Sequence, residues 1–587
     1  VGVTLPVSAQ QVELRAPETS EELQETLRAA SLLFRPASEE PRSAQDILAA
    51  ARADYARLTA ALYDAGHFSP VVRIQLDGRE AATISPFAVP AAIARVEIRV
   101  DPGPDYRFGE VEIGPLAGRS DAIPEFARGE PASTSVLRDA AAAAIDGWRD
   151  RGHALADVAG QQITARHRDA RLDADIRLDP GPVITFGALI PQGHDRMRPE
   201  RIVEIAGLPT GLTYSPQEVA RAEERLRESG VFSAVALTQT DPSSGNVMDF
   251  TAVVAESPLR RFGFGAEIST EDGGSLYAYW LHRNLFGGAE RLRFDAAITG
   301  IGQQEISTEA IEGIDLEFGV RFSRPATFTP DTTAVAELRA YRLQEPGFTV
   351  TALGGEVGVE HVFDERLEGS IALGLIGMRI DGPFGEFDIG YAFLPTELRW
   401  DNRDDPLDPA DGVYVAAAAT PFLTTEGGAG ARLLLDARGY LGFGAENRTR
   451  LAARGQIGSV IGADIAEIPP DFLFYSGGSG TVRGQEYQSL GADYGGVEAG
   501  GRGFAALSTE LRQDIGESNF GIVAFADMGL ISSDAGFQDD PEWHAGAGLG
   551  LRYATPFGPI RVDLATPVRG GGTGEDVFLY IGIGQAF

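Results

Sequence analysis

The sequence predicts an α+β N-terminal region of tandem β-α-α-β-β units, three copies, followed by an all-β transmembrane barrel of about 16 antiparallel strands. Three observations lead there. Helix-closing and strand-turn-strand motifs recur at intervals of roughly 80 residues up to Glu256, a spacing that suits small tandem domains. Beyond Ser257-Pro258 the chain alternates apolar and polar residues between Gly/Asp/Pro/Asn clusters, with no helix-period segment of useful length. No run of ~18 apolar residues exists and mean hydropathy is only −0.09, so any membrane crossing must use strands.

The N-terminal elements follow in order. Ser43-Ala44-Gln45-Asp46 opens a helix, and Ile47, Ala50, Tyr55, Leu58 and Leu62 give it an apolar stripe. Ser215-Pro216-Gln217-Glu218 opens another, with proline at its first helical position and Val219, Ala222 and Leu226 on one face. Asp64-Ala65-Gly66-His67-Phe68, Asp150-Arg151-Gly152-His153-Ala154 and Glu228-Ser229-Gly230-Val231-Phe232 each close a helix with glycine and enter a strand. Leu178-Asp179-Pro180-Gly181-Pro182 before Ile184-Thr185-Phe186 repeats Val100-Asp101-Pro102-Gly103-Pro104 before Tyr106-Arg107-Phe108, strand-turn-strand each time. The expected units are residues 11–102, 103–181 and 182–256, with the barrel over 257–587.

The barrel follows from sheet physics. Spanning strands of ~10 residues with their turns use roughly 20 residues each. A water-soluble sheet of that size needs a covering layer, and the sequence offers none; a closed barrel in lipid pairs every edge. The first strand is expected over Arg261–Ile268, with Gly263 and Gly265, and the last over Phe578–Phe587. In the last strand Val577, Leu579, Ile581, Ile583 and Phe587 share one apolar face, and Gly582 and Gly584 fall on the other.

Composition narrows the function classes. A net charge of −35 argues against nucleic acid. There is no cysteine, hence no disulfide or thiolate metal site. The seven histidines show no metal-ligand spacing, and neither His-Glu-x-x-His nor Gly-x-Ser-x-Gly occurs. No metal, cofactor or enzymatic activity is expected.

One pair stands out. Phe525-Ala526-Asp527-Met528-Gly529 places a lone acid in an apolar strand, costly unless paired. The Gly/Ser-rich loop over residues 472–490 carries one arginine, Arg483 in Val482-Arg483-Gly484, whose guanidinium fits a carboxylate as a fork. Together they imply a loop folded into the interior of a large β-structure and pinned there.

Repeated β-α-α-β-β units ahead of a barrel resemble the polypeptide-transport-associated (POTRA) domains of the outer-membrane insertase superfamily to which BamA belongs. Its markers match Val482-Arg483-Gly484, the Phe-x-Asp-x-Gly set Phe525, Asp527 and Gly529, and a strand acid at Glu510. Trp400–Pro409 and Thr555–Asp563 match further segments. Where many relatives have an aromatic directly after Arg-Gly, this chain has Gln485, with Tyr487 two residues on. Three units and the run Arg483–Leu490 resemble the TamA branch, the outer-membrane part of the translocation and assembly module. The resemblance implies residence in a Gram-negative outer membrane, with the POTRA domains in the periplasm. It also implies a TamB-like partner anchored in the inner membrane, unfolded outer-membrane protein clients of autotransporter type, and contact with outer-membrane lipid. It implies a loop lock of Val482, Arg483, Gly484 and Tyr487 against wall residues Glu510, Phe525, Asp527 and Gly529. It further implies a lateral seam weakened by Gly263, Gly265, Gly582 and Gly584 and ending in Phe587. Alternatives are a BamA-like general assembly subunit and a two-partner secretion transporter.

Overall fold

The computed structural model describes residues 11–17, 19–34, 43–87, 89–118, 123–242, 245–269, 273–301, 314–345, 347–516, 518–539, 541–556, 558–570 and 576–583. Three small sheets precede a large one. The first unit holds β1 (Gln11–Arg15), α1 (Glu21–Ala30), α2 (Ala44–Asp64), β2 (Val71–Leu76), β3 (Arg79–Glu80) and β4 (Arg95–Asp101), with sheet order β1-β4-β2-β3. The Ser43/Asp46 capping box is formed in both directions. Leu27, Leu58, Leu62, Ile74 and Ile98 close the core between helices and sheet. Buried Asp54 terminates α1, accepting hydrogen bonds from the Ser31 hydroxyl and the Leu32 and Leu33 amides.

The second unit holds β5 (Arg107–Gly114), α3 (Thr134–Arg149), β6 (Asp157–Arg166) and β7 (Arg171–Asp179), in the order β5-β7-β6. The expected first helix is missing among the described residues. Pro115, Gly118, Pro124, Gly129 and Pro131 punctuate the stretch it would occupy, so turns replace it. The third unit has β8 (Thr185–Gln192), α4 (Pro199–Ala206), α5 (Pro216–Glu228), β9 (Phe232–Gln239) and β10 (Val247–Glu256), in the order β8-β10-β9. Gly66, Gly152 and Gly230 take the left-handed conformation expected of helix-closing glycines. Contacts divide the chain into two compact units, and the division runs through this third sheet.

The large sheet is antiparallel throughout. Its segments are β11 (Arg260–Ser269), β12 (Gly273–His282), β13 (Arg291–Ile301), β14 (Asp315–Arg324), β15 (Thr332–Glu345), β16 (Phe348–Val362), β17 (Leu367–Gly382), β18 (Gly385–Phe393), β19 (Thr396–Asp401), β20 (Gly412–Thr424), β21 (Ala429–Phe443), β22 (Thr449–Gly462), β25 (Gly503–Asp514), β26 (Phe520–Ser532), β27 (Glu542–Tyr553), β28 (Ile560–Arg569) and β29 (Phe578–Ile583). The short hairpin β23 (Ala492–Asp493) and β24 (Glu498–Ala499) sits in the loop after β22.

Seventeen segments pair in sequence order. β18 and β19 are halves of one strand: both pair with β17 on one side and β20 on the other, and the break falls at Leu394-Pro395. Proline removes a ladder donor, so the strand is interrupted there. Among the described residues these segments therefore make 16 strands, against the expected number of about 16.

Alternation separates two environments. On β26 Phe520, Ile522, Ala524, Ala526 and Met528 face outward and exposed, while Gly521, Val523, Phe525, Asp527 and Gly529 are buried. Phe318, Leu338, Leu353, Leu375, Leu511, Leu549 and Leu564 extend the exposed apolar surface around the sheet. An outward apolar band with polar residues behind it belongs to a barrel in lipid.

Candidate functional site

The loop from Ala463 to Arg502 folds back into the barrel. Its limbs pair with each other, Phe474 with Gly501 and Ser476 with Leu490. Its base is apolar: Phe474 stacks on Phe504 of β25 at 5.3 Å, and Phe472 packs against Tyr391 and Phe422. This aromatic base was not anticipated from sequence, although Phe472-Leu473-Phe474 sits just ahead of the Gly/Ser-rich stretch.

At the tip, Arg483 is only 2% exposed. Its Nε donates to Asp527 Oδ2 at 2.7 Å and its Nη2 to Oδ1 at 3.0 Å, the bidentate fork expected. Its backbone amide donates to the same carboxylate at 3.1 Å. Nη1 reaches Glu510 Oε1 at 2.6 Å and Asp563 Oδ2 at 3.3 Å. The guanidinium carbon lies 3.6 Å from the centroid of the Phe525 ring, a cation–π contact. The wall supplies balancing cations: Arg512 Nε donates to Glu510 at 2.8 Å, and Arg552 pairs with Asp563. Among the described residues Arg483 is the sole ion-pair partner of Asp527.

Two glycines allow this approach. Gly484 has φ +89, and a Cβ there would lie 2.7 Å from Thr566 O. A Cβ on Gly529 would stand 2.1 Å from Ser476 Oγ and 2.8 Å from Val482 Cγ2. Val482 itself is fully buried.

Tyr487 does not join the lock. It is 38% exposed and its hydroxyl donates to Glu345 at 3.3 Å, well along the loop from the pin. The loop turns at Gly484 (φ +89), between Arg483 and this aromatic. Gln485 takes the place beside Arg-Gly and donates to the Ala545 and Arg569 carbonyls, each at 2.8 Å. Sequence reading also missed Asp563, a lone acid at an inward position of an apolar strand, the same signal that marked Asp527. It missed Tyr580 as well, whose hydroxyl accepts from the Gly484 amide at 3.0 Å and ties the loop tip to the last strand.

At the edges of the sheet, β11 pairs with β12 and β29 with β28, and no ladder joins β11 to β29 among the described residues. The two strands nonetheless approach within 8 Å. Among the described residues β29 pairs with β28 from Phe578 to Ile583. Leu579, Ile581 and Ile583 face outward and Tyr580 inward, as the alternation required. Gly263 and Gly265 lie on β11 and Gly582 on β29; a Cβ on Gly263 would strike the ring of its cross-strand partner Tyr279, so this glycine also makes room for an aromatic. Gly584 and Phe587 lie outside the described residues.

A family model for the Omp85 superfamily domain matches residues 284–587, more than half of the chain. Among solved structures, the chain is similar to BamA from Haemophilus ducreyi lacking POTRA domains 1–3, with a TM-score of 0.62 and 16% identity. That match covers 81% of this chain and 99% of that one. It is also similar to CdiB from Acinetobacter baumannii, with a TM-score of 0.50 and 12% identity, over 82% and 89% of the two chains. At these identities the likeness is one of fold.

Proposed function

The chain belongs to the Omp85 superfamily, and on that premise we propose that it assembles or translocates proteins at a Gram-negative outer membrane through the β11/β29 seam. The observation that carries this reading is a seam with no ladder among the described residues, whose last strand is hydrogen-bonded to the pinned loop tip, Gly484 to Tyr580. Superfamily members act on unfolded outer-membrane protein clients. A client strand in lipid exposes backbone groups that each cost several kcal/mol unpaired. An edge such as β11 or β29 offers them partners. Displacing β29 would draw Tyr580 from Gly484, so opening the seam breaks the hydrogen bond between the last strand and the loop tip.

The finer reading is a TamA-type factor. Residues 11–102, 103–181 and 182–256 are three POTRA domains in the periplasm, contacting a TamB-like partner and handing on autotransporter-type clients. It rests on the number of repeats and on the Arg483–Leu490 run.

The test uses the absence of native cysteine. One cysteine within 262–266 and one within 579–583 are scanned for a pair that oxidises to a single disulfide. In proteoliposomes the oxidised protein is expected to lose the ability to fold a urea-denatured barrel client, and reductant to restore it. Full assembly by the oxidised protein would refute the seam. Recovery of a TamB-like periplasmic protein with the full chain supports the finer reading, and its failure to bind overturns that part alone.

A further inference from the structure

Apart from the Arg483 pin, the barrel lumen holds a cavity of about 380 Å³ beneath Pro470–Phe472 of the folded-in loop. Pockets of this size accept small organic groups. Leu343, Ile376, Met378 and Phe472 supply an apolar side, and the polar lining sets Asp315, Glu317, Glu337, Glu356 and Asp471 against Arg339 and Arg342.

The lining carboxylates outnumber the lining arginines, five to two. Glu317 is paired with Arg339 at 2.9 Å and Glu337 with Arg321 at 3.0 Å. Glu356 and Asp471 have no ion-pair partner among the described residues. Glu356 stands directly opposite Glu337 in the β15/β16 ladder, on the same inward face. Like charges at such a position repel unless something cationic lies between them. Asp471 accepts the Tyr341 hydroxyl at Oδ2, 3.0 Å away, while its Oδ1 is buried with no donor. A buried acceptor oxygen left so is an unmet demand for a donor. The neighbouring Arg432 does not meet it: its Nε donates to the Phe472 carbonyl at 3.0 Å, and its guanidinium lies over the Phe474 ring.

We infer that this cavity binds a ligand with an ammonium or guanidinium head on a short apolar stem. The head sits among Glu356, Glu337 and Asp471, and the stem lies against Ile376, Met378 and Phe472. Two sources carry that chemistry: a free alkylamine, or a basic side chain of a polypeptide in the lumen. The inference needs only the barrel and its folded-in loop, and does not rest on the assembly reading.

The experiment titrates hexylamine into the full chain in a non-ionic detergent, read by calorimetry, with hexan-1-ol and hexanoate as controls. Saturable binding of hexylamine alone is expected, weakened at least about tenfold in Glu356→Gln and again in Asp471→Asn, as for loss of one partner of a desolvated charge pair. Equal behaviour of hexylamine and hexan-1-ol would overturn the site, as would wild-type affinity in Glu356→Gln. The second variant matters because Asp471 supports the loop base. If Asp471→Asn fails to fold, judged by heat-modifiable gel mobility, the wall variant Glu356→Gln decides alone. Competition by an N-acetylated, amidated Leu-Lys-Leu peptide then separates the sources. Tighter binding of the peptide supports a polypeptide side chain, and tighter binding of hexylamine supports a free amine.

Discussion

Replacing Arg483 with alanine removes the loop's side-chain donors to Asp527, Glu510 and Asp563, but the damage falls unequally on these three acids. Glu510 keeps Arg512, at 2.8 Å, and Asp563 keeps Arg552. Asp527 keeps only the backbone amide of residue 483. One buried carboxylate is thus stranded, and breaking a buried pair from one side costs about 3–5 kcal/mol. Loss of the cation–π contact with Phe525 adds about 1 kcal/mol. The reference state is the double variant Arg483→Ala/Asp527→Ala, which removes the stranded charge and is expected to recover a substantial part of the loss. Urea unfolding in lipid bilayers gives the energies, and limited proteolysis within 475–490 reports whether the loop remains inside. Wild-type stability and protease resistance in Arg483→Ala would refute the reasoning. So would a double variant no more stable than the single one, because the cost would then lie elsewhere than in Asp527.

Three further outcomes are expected. Gly529→Val places a side chain where Ser476 and Val482 already stand and should cost about 1–3 kcal/mol, read as protease sensitivity of the same loop with the outer strands intact. Asp54→Ala leaves the Ser31 hydroxyl and two amides without their acceptor and should cost about 1–3 kcal/mol, seen as faster amide exchange across Leu23–Leu33 in the full chain. Burial, with the Glu80 carboxylate accepting its hydroxyl, pushes the Tyr55 phenol up to about 12. The folded state therefore holds this proton more tightly than the unfolded chain, and the stability it contributes is complete below the ordinary tyrosine range, near pH 10, and is lost as pH rises towards 12. Amide exchange of α2 and β2 against pH should show that loss, and Tyr55→Phe should flatten it.

What was legible in the sequence divides along a physical line. Asp527 could be found because period-two alternation is local: Val523, Phe525 and Gly529 share its parity, and a charge among them demands a partner. The partner followed from chemistry, since Arg483 is the only basic residue in the Gly/Ser-rich stretch. The helix-closing glycines were legible for the same reason, each fixed by its immediate neighbours. Glu510 came only from family resemblance, because an acid beside Arg512 reads equally well as a local pair. The missing helix of the second unit shows the reverse case, where repeat logic was allowed to override five prolines and glycines that argued locally against it.

That Asp563 and Tyr580 meet the loop was beyond local reasoning. They lie on β28 and β29 and meet residues 483 and 484 only because the sheet curls round, and no residue between them encodes that closure. Tyr487, which the family pattern offers as the aromatic after Arg-Gly, places its hydroxyl on Glu345 instead. Yet these long-range contacts turn a structural pin into a candidate mechanism. A lock confined to β25 and β26 would hold the loop and nothing else. Since the adjacent residue, Gly484, is hydrogen-bonded to the strand that borders the seam, the free energy holding the loop inside also bears on where β29 rests. A client that pairs with β29 and shifts it must break the Gly484–Tyr580 bond, at about 1 kcal/mol, without disturbing the buried Arg483 cluster, several times stronger. That ordering allows the seam to move while the loop stays anchored, and it makes Tyr580→Phe the variant that should loosen the seam yet leave the loop protected from protease.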